Sequence, residues 1–191
     1  MEQTEVREQI LDTARDLFQK QGFGKTSMDD IARHLGRAKS GIYYYFKSKH
    51  AILEELVRRE IERMEEEVEW ITGREEIPAD VRLKKCVRAC IQALPGMKSY
   101  FLILRDRSLR SHPSIQALRT SFHEFMARKL EELFGELKER GRSAIHDSSV
   151  RDAFLVFLRG CELLIEEVGA GVRDRLKDLA DLLVRGIRIA T

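Results

Sequence analysis

Residues 26–53, TSMDDIARHLGRAKSGIYYYFKSKHAIL, constrain this chain more than any other stretch. Apolar residues recur at helical spacing on both sides of Gly36, so the segment reads as a helix, a glycine turn and a second, shorter helix. Ser27 with Asp30 three residues on makes a capping-box-like pair that predicts the first helix start. Met28, Ile31, Ala32 and Leu35 then face inward, and Ile42 with Phe46 hold the short helix, 39–45, down on the same core. Ser48 is placed to cap a long helix that follows, with Ile52, Leu56, Val57, Ile61, Met64 and Val68 as its apolar stripe.

The same pattern extends through the chain. Three prolines occur, Pro78, Pro95 and Pro113, each where a helical pattern stops or restarts. The first helix is predicted over 4–21, with Val6, Ile10, Ala14, Leu17 and Phe18 on one stripe and Gly22 and Gly24 closing it. Further helices are predicted over 79–94, 96–109, 114–140, 148–168 and 172–189, with a loop at 141–147. The fold class is all-α, about nine helices. Composition shifts after residue 47, which divides the chain into an N-terminal three-helix unit, 1–47, and a larger unit, 48–191. The run Glu65, Glu66, Glu67 and Glu69 reads as a solvated face of the long helix.

Charge singles out one surface. From Ile31 through Leu53 there is no acidic residue, while Arg33, Arg37, Lys39, Lys47 and Lys49 are present. The whole chain carries a net charge of only +2, so any affinity for nucleic acid has to come from this cluster. A short helix bearing tyrosines and lysines, presented by a helix-turn-helix, is a device for entering the DNA major groove. No apolar run approaches the roughly 18–20 residues that span a bilayer. The polar N-terminus is unlike a secretory signal. Cys86, Cys90 and Cys161 form no metal cluster with histidine, which fits a cytoplasmic chain with reduced thiols and no metal or cofactor. No nucleophile–base pair, carboxylate pair or phosphate-cradling glycine loop supports an enzyme.

The segment closely resembles the N-terminal signature of the TetR/AcrR family of bacterial transcriptional regulators. The matching positions are Phe18, Gly22, Thr26, Ile31-Ala32, Gly36, Ile42-Tyr43, Tyr45-Phe46, Lys49 and Leu53. The resemblance implies a repressor that binds an inverted-repeat DNA operator as a homodimer and lets go when a small molecule enters its C-terminal part. On the DNA side, Thr26 and Ser27 open a helix whose hydroxyls and amides can hold a phosphate. Lys39 and Ser40 are placed to reach base edges or phosphates, and Gly41 lets the backbone come close. Tyr43 and Tyr44 offer a hydroxyl and a ring face. By the resemblance, Tyr45 and Lys49 touch phosphate, although Tyr45 also suits packing. Arg33 and His34 read as solvent-facing. Three positions depart from the family pattern: Arg37 stands where a small apolar residue is usual and adds a contact, Ala38 cannot cap the helix, and His50 adds positive charge below pH ~6.5.

The rest of the chain carries no signature of its own. Helix 148–168 is apolar on most sides and the last helix nearly so. Phe154, Leu158, Ile165, Leu176, Leu179, Leu183 and Ile187 therefore form either a dimer interface or an internal core. Trp70, Met97, Tyr100, Phe101, Phe122, Phe125, Met126, Phe154, Phe157 and Cys161 are aromatic, methionine or thiol side chains suited to line an apolar cavity or simply to fill a core. A fatty-acyl or aromatic effector fits such a lining. His123 is a candidate polar anchor, Arg105, Arg107 and Arg110 read as a solvated basic face, and Cys86 with Cys90 as inert buried thiols. The alternative is a DNA-binding protein of the same fold that needs no effector and serves an architectural or partner-binding role.

Overall fold

The computed structural model describes residues 2–93 and 96–139, together with Val156. Among these residues the regular structure is all helix: α1 (Glu2–Gln21), α2 (Met28–His34), α3 (Lys39–Tyr45), α4 (Lys49–Thr72), α5 (Ala79–Ala93), α6 (Lys98–Arg105), α7 (Arg107–Arg110) and α8 (Pro113–Glu139). The predicted helices 148–168 and 172–189 lie outside the described residues, and with them Phe154, Phe157, Leu158, Cys161, Ile165, Leu176, Leu179, Leu183 and Ile187.

The apolar stripes become one continuous core running from Val6 of α1 to Leu137 of α8. Ile10, Leu11 and Ala14 of α1, Ile31 of α2, Ile42 of α3 and Ile52 of α4 are all fully buried in it. Turns sit where glycine allows them: Gly22 and Gly36 adopt φ of +87° and +62°, a region that side chains disfavour. Ser27 and Asp30 form the expected capping box, and the Ser48 hydroxyl accepts from the Ala51 amide at 3.1 Å.

The helix expected over 96–109 is instead two, because Asp106 takes an extended conformation and starts a new turn. Its carboxylate accepts from the Ser108 and Leu109 amides at 2.9 and 3.3 Å, capping α7. The Ser108 hydroxyl, donating at 2.6 Å, and then these two amides hold its carboxyl below the usual aspartate range.

Helix α4 is the spine. Its N-terminal half packs on α1 and its C-terminal half on α5 and α8, with α6 against its middle. Arg59 of α4 bridges Glu8 of α1 and Glu55 of its own helix, and Arg7 of α1 meets Glu55 at 3.1 Å. Among the described residues no buried side-chain nitrogen or oxygen lacks a partner. Two long-range contacts account for much of this. Buried Glu60 of α4 accepts from the Ser99 and Tyr100 amides at the start of α6. Fully buried Arg82 of α5 donates to the carbonyls of Thr72 and Ile77 and to Glu136 of α8.

Candidate nucleic-acid interface and ligand cleft

Helix α3 is presented by two anchors. Ile42 is fully buried and Phe46 nearly so, with the Arg7 guanidinium 5.0 Å from the Phe46 ring centre. The turn before it is set by the Arg37 amide donating to the Ala32 carbonyl at 3.0 Å. Anchored from below, α3 leaves Lys39, Ser40, Tyr43 and Tyr44 on one outward face, since residues four apart share a helix side. Tyr44 is 72% exposed and Tyr43 43%, unusual for aromatic side chains with a core beneath them. Arg37 extends the same exposed surface. Among the described residues, no atom beyond its own helix turn lies within 4 Å of where a Gly41 Cβ would stand, so the bare backbone there is open to an outside surface. Ala38 makes no side-chain cap, as expected.

Other expected DNA contacts are engaged within the chain. Thr26 is 1% exposed, and its hydroxyl donates to the Gly22 carbonyl and accepts from the Gln21 side-chain Nε2. The Ser27 hydroxyl is exposed but locked in the capping box, donating to Asp30 at 2.6 Å. Those bonds hold the Asp30 carboxyl below its usual range. Tyr45 is half-buried against the core, edge-on to Tyr44 at 5.0 Å. The Lys49 ammonium donates to the carbonyls of Phe23 and Thr26, both at 2.8 Å, and sits 4.5 Å from the Phe23 ring centre. These four side chains are occupied in shaping the interface, whereas Arg37, Lys39, Ser40, Tyr43 and Tyr44 are presented by it.

Two features of this surface escaped the sequence reading. Asp29, just outside the acid-free window, pairs with Lys39 at 2.7 Å, and the Lys39 ammonium also lies 5.8 Å from the Tyr43 ring centre. Asp29 raises the Lys39 pKa. His50 stacks on His112, from the turn before α8, at 5.3 Å and 21°, with Phe23 edge-on at 4.8 Å. Burial, then the His112 and Lys49 charges, hold the His50 imidazole below its ordinary value, so its expected positive charge sets in only at lower pH. A lowered folded-state pKa means the stability carried by the neutral stack is present above about pH 6.5 and is lost as pH falls through the folded value. Wild-type protein should therefore lose more melting temperature between about pH 7 and about pH 5 than His50→Phe, which keeps the ring and drops the proton. Parallel curves for the two proteins would remove the histidine pair from the pH response.

Among the described residues, most of the expected effector residues pack in or against the core. Met97, Tyr100, Phe122 and Met126 are buried in the core and Phe101 and Phe125 half-buried against it. Tyr100 meets Phe122 edge-on at 6.0 Å and its hydroxyl lies 3.5 Å from His123 Nε2. Trp70 stands apart: it is 58% exposed, with the Arg74 guanidinium 3.8 Å from its ring centre. Burial pushes the Cys86 thiol up to about 11, the reverse of an activated thiol. A cleft of about 370 Å³ does open between α4, α5 and α6, and Met97 reaches it. Its other walls are Glu60, Arg63, Met64 and Glu67 of α4, Ala89, Gln92 and Ala93 of α5, and Gly96.

Comparison with known proteins places these observations. Residues 10–56 match the family model for bacterial regulatory proteins, tetR family. The uncharacterised HTH-type transcriptional regulator YerO of Bacillus subtilis (strain 168) is 26% identical over 200 residues, 95% of this chain and 66% of YerO. The chain thus spans slightly less than two thirds of that relative's length. IcaR, the negative transcriptional regulator of the biofilm operon icaADBC of Staphylococcus aureus (strain Newman), is 38% identical over 53 residues, 28% of each chain. Among solved structures, a SmeT–triclosan complex superposes with a TM-score of 0.74 over 97% of this chain and 92% of SmeT, at 18% identity. AibR in complex with isovaleryl coenzyme A and operator DNA gives a TM-score of 0.66 over 95% of this chain and 97% of AibR, at 23% identity. At those identities the two structures speak for the fold.

Proposed function

We propose that this chain, whose residues 10–56 match the tetR family of bacterial regulatory proteins, is a cytoplasmic transcriptional repressor of that family. In this reading it binds an inverted-repeat operator as a homodimer and is released by a small-molecule effector. Residues 1–47 read the DNA, and residues 48–191 hold the effector and the dimer contact. The observation that carries the proposal is the outward face of α3, where Lys39, Ser40, Tyr43 and Tyr44 surround the open backbone of Gly41 above a buried Ile42. Such a face suits base edges and phosphates in the major groove. Repression is in keeping with IcaR, a negative regulator, and an effector with SmeT and AibR, each seen with a small molecule. Selection of genomic fragments by the purified protein at near-physiological salt tests the reading. Enrichment of a short inverted repeat is expected. Salt-sensitive binding with no enriched site would instead favour an architectural role.

Asp29 makes a finer test of the same surface. A carboxylate 2.7 Å from Lys39 occupies the place a phosphate would take and repels the backbone of any DNA that approaches. Asp29→Asn is expected to raise affinity for random DNA roughly threefold or more and to steepen its salt dependence by about one unit. The operator, whose contacts already displace the pair, should gain less, so discrimination falls. Fluorescence anisotropy across a salt series on both DNAs reads this directly. An unchanged slope on random DNA would mean that Asp29 and Lys39 stay paired in the complex.

A further inference from the structure

We propose that the cleft between α4, α5 and α6 takes an amphipathic amine, with Glu60 as the buried counter-ion and Glu67 as a second anionic contact. The proposal rests on the effector reading above and names the chemical class of that effector. At about 370 Å³ the cleft is within the range of small-molecule sites, and Met64, Ala89, Ala93 and Met97 give it an apolar wall.

Its charges decide the class. Glu60 is 6% exposed, and its two oxygens accept one amide each, from Ser99 at 3.0 Å and Tyr100 at 2.8 Å. The Ser99 side chain also hydrogen-bonds to it. A carboxylate has about four acceptor positions, so one remains for a further donor. No side-chain cation pairs with Glu60 among the described residues. The cation whose field reaches it is Arg15 of α1, which is itself 2.6 Å from Asp12. Burial pushes the Glu60 carboxyl above its usual range, as expected of an anion held dry without a counter-charge. Glu67 lies seven residues on, on the same face of α4, and makes no ion pair among the described residues. Arg63 offsets one of these two carboxylates, leaving the lining negative by one charge. An entering ammonium supplies the missing positive charge while its tail covers the methionines.

The same contact gives binding a consequence. Met97 offers α6 no side-chain cap, so Glu60 is what satisfies the Ser99 and Tyr100 amides. An ammonium that draws on Glu60 loosens the start of α6, and α6 packs on both α4 and α1, the helix on which α2 of the helix-turn-helix packs.

Calorimetric titration of the full chain with phenylbutylamine, phenylbutanol and phenylbutyrate, which share one apolar tail, tests the class. The amine is expected to bind about tenfold more tightly than the alcohol, with the acid weakest. Glu67→Gln, an exposed change, should cut amine affinity roughly threefold and leave the alcohol alone. Glu60→Gln should abolish the preference. Because Glu60→Gln gives up one α6 bond and can disturb folding, the three-compound ranking and Glu67→Gln stand without it. An equal or reversed ranking, binding by none of the three, or an indifferent Glu67→Gln overturns the proposal. Failure of the effector reading itself shows separately, as a broad compound set of which no member releases operator DNA.

Discussion

Lys49→Met is expected to lower the melting temperature by about 4–8 °C while leaving the salt dependence of DNA binding unchanged. The Lys49 ammonium is engaged inside the protein. It donates to the carbonyls of Phe23 and Thr26 at 2.8 Å each, with Gly24 at 3.4 Å, and rests against the Phe23 ring. These carbonyls belong to the connection between α1 and α2, where helix ends leave acceptors without partners. Hydrogen bonds to a charged group contribute roughly 1.5–3 kcal/mol each when shielded, but this connection is partly open to water, which replaces some of them. About 2 kcal/mol for the set is reasonable, and for a chain of this size each kcal/mol moves the midpoint by roughly 2–4 °C. Operator affinity should fall as well, because the loosened connection no longer fixes the Ser27 cap and the α2 start. Lys49→Arg should not restore stability, since a planar fork cannot converge on carbonyls arranged around a point charge. A phosphate lysine behaves in the opposite way: its loss lowers the salt slope by about one unit at constant melting temperature. That pattern would reject the structural role and return Lys49 to the DNA.

The contrast over Lys49 shows which parts of the molecule were legible in the sequence. Helix positions were, because a stripe such as Ile10, Ala14, Leu17 and Phe18, or Ile52, Leu56 and Val57, states its burial within a few residues of chain. The outward face of α3 was legible for the same reason: Ile42 and Phe46 point in at helical spacing, so Lys39, Ser40, Tyr43 and Tyr44 must point out. Trp70 could have been placed too, since it falls off the Met64, Val68 and Ile71 stripe of α4 and so faces water. Long-range polar contacts left no such trace. Lys49 finds its acceptors 26 and 23 residues earlier, and Glu60 its donors 39 and 40 residues later. Nothing local distinguishes either from a solvated charge. Asp106 lies between, since an aspartate with Ser108 two residues on is a competent cap, yet between Arg105 and Arg107 it reads as a surface residue of one helix until its extended conformation is seen.

Arg82→Met is the change that should cost most stability, roughly 3 kcal/mol, read as a lower urea midpoint at an unchanged slope. Arg82 is 1% exposed, and its guanidinium joins three elements at once. Nε donates to the Ile77 carbonyl at 2.9 Å, Nη1 to the Thr72 carbonyl at 2.6 Å, and Nη2 to Glu136 of α8. It therefore closes the C-terminus of α4, orders the connection to α5 and ties both to α8. Methionine keeps much of the volume, so the loss isolates the polar contacts rather than a cavity. The estimate stays toward the low end for a broken buried pair because the Glu136 side chain is 35% exposed and can be solvated when left alone. Adding Glu136→Gln to Arg82→Met should return part of the loss, since it removes the orphaned charge, whereas Glu136→Gln alone should cost less than Arg82→Met. Arg82→Lys should fail to rescue, because one ammonium cannot reach two carbonyls and a carboxylate in three directions. The consequence extends to function, as α4 runs from this clamp to the recognition unit. With its far end released, α4 no longer fixes the position of α1, and effector-dependent release of DNA should weaken even at temperatures where the variant remains folded. A variant Arg82→Lys as stable as wild type would show that the charge alone is needed, and would leave the three-way clamp without support.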